Sequence, residues 1–237
     1  MCLAHQPIRE IVAALPTSLA VFERFDIDLC AMGDHSLADA CAALSLSLDQ
    51  LEEKLAAHLP AESAADPAAL TPMQLIQRIV RVHHRRIRQD LPALRRMAEL
   101  LEAKHTGTFF KSAALAGMLR ELHTGLLAHI DAEEQILFPL IAQHAEDTPP
   151  FATLGPGRSF GHNLRRIHQD HEAATQTMDG LRERTNGFTP PHSACATHRA
   201  LFSGLASFEQ DLRSHLHLED DILFPRALHL NAAGGAA

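Results

Sequence analysis

Two stretches of the chain carry the same motif, and this repeat decides the fold. Residues 129–139 read His-Ile-Asp-Ala-Glu-Glu-Gln-Ile-Leu-Phe-Pro, and residues 215–225 read His-Leu-His-Leu-Glu-Asp-Asp-Ile-Leu-Phe-Pro. Both match the pattern His-x-x-x-Glu-x-x-Ile-Leu-Phe-Pro, which begins at residue 129 and again 86 residues later at residue 215. A repeat with this many fixed positions indicates an internal duplication.

Each copy of the motif has a second histidine upstream at nearly the same distance. His84 precedes His129 by 45 residues, and His171 precedes His215 by 44 residues. That separation suits an antiparallel hairpin, in which the chain runs along one helix and returns to the same level along the next. From about residue 72 the sequence therefore predicts two helical hairpins of one design.

The apolar pattern of this region is helical. From residue 72 onward apolar side chains recur at intervals of three and four residues, and alternating strand patterns between turns are absent. Turn-forming residues leave four long helices, predicted at 72–104, 111–145, 159–185 and 194–228. Four such helices with short connections predict an all-α antiparallel four-helix bundle.

The first part of the chain is predicted to form a separate domain. Residues 1–58 contain short amphipathic stretches broken by proline and glycine, which indicates a small helical domain. Residues 59–71 are rich in proline and alanine, as is typical of a linker. The predicted organisation is therefore an N-terminal helical domain at 1–58, a linker at 59–71 and the bundle at 72–230.

The repeated motif also predicts a metal site. Residues four apart share one face of a helix, so His129 with Glu133, and His215 with Glu219, each direct an imidazole and a carboxylate the same way. Two carboxylates inside a bundle need cationic compensation, because desolvating each costs several kcal/mol. The spacing therefore predicts two metal ions bridged by the carboxylates, with two histidines on each. The predicted metal-site residues are His84, His129, Glu133, His171, His215 and Glu219.

The donor set narrows the choice of metal. Imidazole with carboxylate suits iron, manganese or zinc, and a bundle interior is typical of di-iron centres that react with oxygen or nitric oxide. We therefore predict iron. His105 and His168 are kept outside the six, although either would be an alternative ligand, and Asp170 is interpreted as a solvated or ligand-orienting carboxylate.

Composition excludes several classes of function. The formal net charge of -8 argues against a nucleic-acid partner, which needs a basic face. With no Trp and no Tyr, the chain has no tyrosyl radical or phenolate ligand. No apolar run is long enough to cross a bilayer and no secretory signal is visible, so we expect a cytoplasmic protein without a membrane partner. The four cysteines form no Cys-x-x-Cys pair and are expected to be free thiols.

Several stretches together resemble a known family. They include Gln6-Pro7-Ile8, the run from Val21 to Cys30, His84 with Leu91-Pro92, both motif copies, His171-Glu172-Ala173, Thr189-Pro190-Pro191 and the end of the second copy through Leu228. They resemble the RIC family (repair of iron centres, ScdA/YtfE/DnrN-type), which joins an N-terminal ScdA-type domain to a hemerythrin-like four-helix bundle. The resemblance covers nearly the whole chain. It implies the same six ligands for a non-haem di-iron centre, bridged by carboxylates and by an oxo group when oxidised.

One position departs from the family pattern. The family carries Cys-Cys-Gly-Gly in the N-terminal turn, whereas this chain has Cys30-Ala31-Met32-Gly33. A role that needs two adjacent thiols is therefore in doubt. Cys41 is an alternative partner for Cys30, and the other interpretation of Cys30 is a partly buried turn thiol.

The resemblance implies a function and leaves alternatives. The first hypothesis is a stress-response protein that restores iron–sulfur clusters damaged by nitric oxide or oxidants, by iron donation, with iron–sulfur proteins as its targets. The second is a protein that binds or scavenges NO or O2 and is linked to denitrification. The third is an enzyme that reduces NO to N2O at the di-iron pair. A homodimer is left open.

Overall fold

The described part of the molecule is all-α. The computed structural model describes residues 3–56, 66–104, 112–145 and 160–234. Within these ranges every regular element is helical, and the only strand-like pairing there is an isolated bridge between Pro7 and Ser36. The all-α prediction is confirmed. His105 and the connections predicted between residues 104 and 111 and between residues 145 and 159 lie outside the described residues.

Short helices form the N-terminal part, as predicted. They begin where the sequence supplies caps: Ser36 accepts a hydrogen bond from the backbone N–H of Asp39 at 3.1 Å, and Asp28 accepts one from that of Cys30 at 2.8 Å. The helices are α1 (Ile8–Ala14), α2 (Ser18–Arg24), α3 (Leu29–Met32), α4 (Leu37–Leu44) and α5 (Leu48–Ala56).

The region after residue 66 begins with a short 3₁₀ turn at Pro67–Ala69, and long helices follow. Thr71 and Gln74 form a capping box that starts the first of them. The elements are α6 (Pro72–Arg78), π1 (Ile79–His84), α7 (Arg85–Lys104), α8 (Ser112–Ala132), π2 (Glu133–Leu137), α9 (Phe138–Ala145), α10 (Phe160–Arg184), α11 (Ala196–His217), π3 (Leu218–Leu223) and α12 (Phe224–Gly234).

Within the described ranges three π-helical segments interrupt the long helices, and the sequence did not predict them. Pro139 and Pro225 stand just after π2 and π3. Proline lacks an N–H, and its ring clashes with the carbonyl four residues earlier, so a wider turn relieves both problems. No such proline follows π1, since the next one is Pro92, through which α7 continues unbroken.

The chain forms two compact units. The described residues of the first lie within 1–61, 88–121 and 179–209, and those of the second within 62–87, 122–178 and 210–237. Fully buried side chains of the first unit include Phe22, Leu51, Leu94 and Phe208. In the second unit a continuous core includes Leu75, Ile79, Phe138, Ile141, Leu223 and Phe224. Among the described residues no helix is long and apolar enough to cross a membrane.

Candidate metal centre

All six predicted metal-site residues come together inside the second unit. They form two groups: His84 and His215 with both carboxylates, and His129 and His171 with the same two carboxylates, Glu133 and Glu219. Within each group one ligand atom per residue lies within 4.8 Å of the others. The six side chains are all buried, with at most 4% of any residue exposed.

The π segments and the helix ends position these side chains. His129 and His215 lie in the last turn of α8 and α11, and the carboxylates follow at the start of the π segments: Glu133 opens π2, and Glu219 is the second residue of π3. His84 closes π1. A π turn adds a residue between hydrogen-bonded partners, and such turns are common at functional sites.

In the first group the contacts run through the Nε2 atoms of the histidines. His215 Nε2 lies 2.9 Å from Oε1 of Glu219. His84 Nε2 lies 3.3 Å from Oε2 of Glu133 and 3.8 Å from Oε1 of Glu219. One imidazole therefore lies near both carboxylates.

The second group repeats this arrangement with the other pair of histidines. His171 Nε2 lies 3.2 Å from Oε2 of Glu219, and His129 Nε2 lies 3.4 Å from Oε2 of Glu133. The two Nε2 atoms are 3.2 Å from each other. Both carboxylates thus lie between the two groups, each within reach of donors from either side.

The groups cross over between the two sequence repeats. The first combines His84 from the first hairpin with His215 from the second, and the second combines His129 from the first hairpin with His171 from the second. Each group consequently needs side chains from both hairpins.

Two further acids orient the upstream histidines. The Nδ1–H of His84 donates to Oε1 of Glu134 at 2.7 Å, and the Nδ1–H of His171 donates to both carboxylate oxygens of Asp220 at 3.0 Å. A proton held on Nδ1 leaves the lone pair of Nε2 directed at the centre. Glu134 and Asp220 occupy the same place in the two motif copies, directly after the shared glutamate. That repeated acid was a sequence signal for this role, and it was not used in predicting the site.

The aromatic residue of the motif also has a structural role at the centre. The ring of Phe138 stacks on His84 with centroids 5.7 Å apart, and that of Phe224 stacks on His171 at 6.2 Å. Each phenylalanine follows a fully buried leucine, Leu137 or Leu223. The Ile-Leu-Phe-Pro part of the motif therefore contributes core packing and an apolar wall against one histidine ring.

His83 was not among the predicted site residues, yet it lies against the centre. It is buried and stacks on His215 with centroids 5.5 Å apart and ring planes 7° apart. Its Nδ1 lies 3.2 Å from Oδ1 of Asp211, which also accepts a hydrogen bond from Arg86 at 3.0 Å. The His215 side of the centre is thus backed by a partly buried polar cluster.

Two other residues considered from the sequence, His168 and Asp170, lie at the edge of the centre. The side chain of His168 is 44% exposed, and its Nδ1 lies 3.1 Å from Oδ1 of Asp220. It belongs to neither four-residue group, although it forms a third, more exposed group with His171 and Asp220. Asp170 lies 3.7 Å from Nδ1 of His129, so it is near a predicted ligand but beyond hydrogen-bond distance.

The buried carboxylates lack enough hydrogen-bond donors. Among the described residues, both side-chain oxygens of Glu133, Oε2 of Glu219 and Nε2 of His84 are buried without a hydrogen-bond partner. Orphaned buried acceptors are costly, and at this density they indicate an ion that the side chains surround. The nitrogen and oxygen donors fit a divalent or trivalent transition metal.

The pKa shifts of the buried residues also reflect the negative charge of the two carboxylates. Burial acts to lower the pKa of His84, but the carboxylates of Glu133 and Glu219 outweigh it and raise this pKa to about 10. Burial also acts to lower the pKa of His171, but the carboxylates of Asp220 and Glu219 outweigh it and raise this pKa to about 10.

Glu219 shifts in the opposite sense. Burial acts to raise its pKa, but the imidazoles of His215, His171 and His84 hold it well below the usual range. Without metal, protons on His84 and His171 therefore offset the charge of the carboxylates, and a metal ion must displace those protons to bind.

Comparison with known proteins gives a family for both parts of the chain. Residues 75–227 match the family described as Hemerythrin HHE cation binding domain, and residues 4–59 match ScdA_N, described as a domain of unknown function (DUF542). The hemerythrin match spans the six residues of both groups. The chain therefore carries a cation-binding domain with histidine and glutamate groups able to hold metal.

Relatives of similar length cover nearly the whole chain. The iron-sulfur cluster repair protein YtfE of Dickeya chrysanthemi is 34% identical over 226 residues, which is 94% of this chain and 96% of the relative. The protein of the same name from Escherichia coli O81 is 34% identical over 96% of this chain and 99% of the relative. That of Cronobacter sakazakii is 32% identical over 96% and 98%. With both domains matched and relatives aligned from end to end, this chain belongs to the RIC family of ScdA/YtfE/DnrN-type proteins.

Proposed function

We propose that this protein repairs iron–sulfur clusters damaged by nitrosative or oxidative stress, and that its centre holds two iron ions. The observation that carries the proposal is the pair of overlapping groups that share Glu133 and Glu219. Relatives that align over at least 94% of the chain and are named iron-sulfur cluster repair proteins support the repair function.

The six residues divide between two ions in this proposal. His84 and His215 hold one iron, His129 and His171 hold the other, and the two glutamates bridge them. Bound iron supplies a redox-active cation that exchanges ligands. The chain fixes the ring orientations through Glu134 and Asp220, and these two acids also offset positive charge.

Iron donation requires one ion to leave, and the surroundings of the two groups differ. Beside His129 and His171 lie the half-exposed side chains of Asp170 and Asp220, 38% and 32% exposed. The other group has one such acid, Glu134 beside His84, which is 27% exposed, and its His215 is covered by the buried His83. We propose that the iron held by His129 and His171 is the one delivered to iron–sulfur proteins. The N-terminal domain, residues 1–58, and the linker, 59–71, remain part of the proposed organisation with the bundle at 72–230.

The test is transfer of labelled iron. Protein loaded anaerobically with ⁵⁷Fe is mixed with an iron–sulfur protein whose cluster has been destroyed by nitric oxide, together with sulfide and a thiol reductant. We expect the target to regain its cluster absorbance and to carry ⁵⁷Fe. The Glu219→Leu variant should not support recovery, whereas His217→Ala, at an exposed residue paired with Asp221, should act as the wild type.

Other outcomes of this experiment contradict repair. Iron that stays on the protein and binds NO reversibly would favour scavenging, with NO or O2 as the ligand. Release of N2O from the ferrous protein, without transfer, would favour NO reduction.

A further inference from the structure

Two cysteines far apart in sequence meet in the first unit. The Sγ atoms of Cys30, in α3, and Cys195, directly before α11, lie 3.8 Å apart. Both side chains are half-buried, so a small molecule can reach them. The adjacent thiol expected after Cys30 is absent, since residue 31 is alanine, and Cys195 supplies a second thiol through the fold instead.

The neighbours of the pair favour a thiolate on Cys30. Its Sγ lies 2.8 Å from the hydroxyl oxygen of Thr197. Lys104 forms an ion pair with Asp28 at 2.8 Å, beside the same turn. Hydrogen bonding from the thiol of Cys195 lowers the pKa of Cys30 against the opposing effect of burial, and Thr197 and Lys104 lower it further.

Cys195 is the complementary thiol of the pair. Its hydrogen bond to Cys30, together with burial, raises its pKa, so it keeps its proton when Cys30 is ionised. The combination of one thiolate and one adjacent thiol is typical of redox-sensitive cysteine pairs.

We propose that Cys30 and Cys195 are a redox-active pair that closes to a disulfide when a hydroperoxide oxidises Cys30. The thiolate of Cys30 attacks the peroxide oxygen, the O–O bond breaks, and a proton from water completes the leaving alcohol or water, which gives a sulfenic acid on Cys30. The thiol of Cys195 then attacks that sulfur; the S–S bond forms, the S–O bond breaks, and water leaves with the thiol proton. Cys30 loses two electrons when it forms the sulfenic acid, and the hydroperoxide gains them.

The distance makes this closure a local movement. The sulfur atoms have to approach from 3.8 Å to about 2.05 Å, the length of a disulfide bond. The disulfide would join Cys30, in the segment that matches DUF542 (4–59), to Cys195, in the segment that matches the hemerythrin domain (75–227). Cys41 is a natural comparison: it is buried, and burial raises its pKa, which disfavours its thiolate.

The experiment maps the thiols of the intact protein. Reduced full-length protein receives one equivalent of an organic hydroperoxide and is then blocked with N-ethylmaleimide, digested without reductant and analysed by mass spectrometry. We expect the peptide containing Cys30 to be linked to that containing Cys195. In Cys195→Ser we expect no such link and a sulfenic acid on Cys30 that reacts with dimedone, whereas Cys41→Ser should form the link as the wild type does.

Two results would overturn the pair. One is a wild-type protein in which Cys30 reacts with dimedone while Cys195 remains blocked by N-ethylmaleimide; the other is a link from Cys30 to Cys41 or to a second chain. Glu219→Leu separates this proposal from the metal centre. We expect this variant to form the link even when it holds no iron, and a link that depends on iron would contradict an intrinsic thiol pair.

Discussion

The Nε2 atoms of His129 and His171 face each other at 3.2 Å in a region closed to solvent. Two imidazole nitrogens that point at one another must share either a proton or a metal ion. Since the two residues belong to different sequence repeats, this contact forms only when both hairpins are in place.

The shared carboxylates should control both metal ions. We expect Glu219→Leu to lower the iron content from about two per chain towards zero, because this residue lies in both groups and a leucine supplies no ligand. Metal analysis after anaerobic loading, with circular dichroism to confirm the helices, measures this. His217→Ala is the control, and iron contents that fall equally in the two variants would refute the ligand assignment.

Glu134 and Asp220 should tune metal affinity without touching the metal. Glu134→Gln and Asp220→Asn each remove the carboxylate that holds an Nδ1 proton, so we expect iron affinity to fall by roughly 10–100-fold. Competition with a chelator of known affinity measures the change. Asp221→Asn changes an exposed acid in the same motif and should leave the affinity unaltered. An orienting role is wrong if all three variants bind iron equally well.

The metal-free protein should lose stability on the alkaline side. In the folded protein the pKa values of His84 and His171 are about 10, above the ordinary 6.5. Their contribution to the free energy of unfolding is therefore complete below pH 6.5 and disappears as the pH rises through about 10. Glu219 has the opposite pH dependence, because its pKa is lowered in the folded protein. Its contribution to the free energy of unfolding is present above pH 4.5 and disappears as the pH falls through the folded pKa.

These groups together place the optimum of the metal-free form between about pH 4.5 and 6.5. Urea unfolding of chelator-treated protein at pH 6 and pH 10 measures the difference. A free energy of unfolding that rises between these values would contradict the assignment. Iron-loaded protein should be stabilised by iron more strongly as pH rises, because binding releases the histidine protons.

The two irons should leave at different rates. We expect biphasic removal by a chelator, with the faster phase from the group of His129 and His171, which lies beside two partly exposed acids, whereas the other group lies beside one and is covered by His83. His171→Asn should eliminate the fast phase and retain the slow one. Removal in one phase, or a fast phase that persists in His171→Asn, would show that exposure does not select the labile iron.

Gly33 should be intolerant of a side chain. A Cβ there would overlap Cβ of Ala196 and lie 2.5 Å from the carbonyl oxygen of Leu29. We expect Gly33→Ala to destabilise the protein by about 1–3 kcal/mol, as overpacking does. Gly117→Ala is the matched control, since nothing lies within 4 Å of its Cβ position, and it should stabilise α8 by about 0.5–1 kcal/mol. Chemical denaturation compares the two, and equal effects would contradict close packing at Gly33.

The repeat made the grouping of these six residues predictable. Spacing of four residues within a helix and of about 44 residues around a hairpin are properties of local geometry, so they could be obtained from the sequence alone. All six predicted residues meet in one buried site. The helical segments followed from the same periodicity, and the caps at Ser36 and Asp28 show why the short N-terminal helices begin where they do.

Contacts between distant elements could not be predicted in this way. The stacking of His83 on His215 joins residues from different hairpins, and His83 lies in π1, which no following proline predicts. The meeting of Cys30 with Cys195 depends on tertiary packing across 165 positions of the chain. Cys41, the nearer cysteine in sequence, was the alternative considered; the thiol that lies 3.8 Å from Cys30 is that of Cys195, whereas Cys41 is buried on α4.

The crossing of the two repeats bears on the ancestry of this centre. A single hairpin has half of each group, but two copies paired about a twofold axis would complete both groups. The duplicated chain is thus equivalent to a fused symmetric dimer, and fusion removes the requirement that its halves stay identical. Glu134 and Asp220 already differ in type, and only one side of the centre is covered by His83. A dimer of identical hairpins would give both metals the same surroundings, whereas a single chain is free to specialise them.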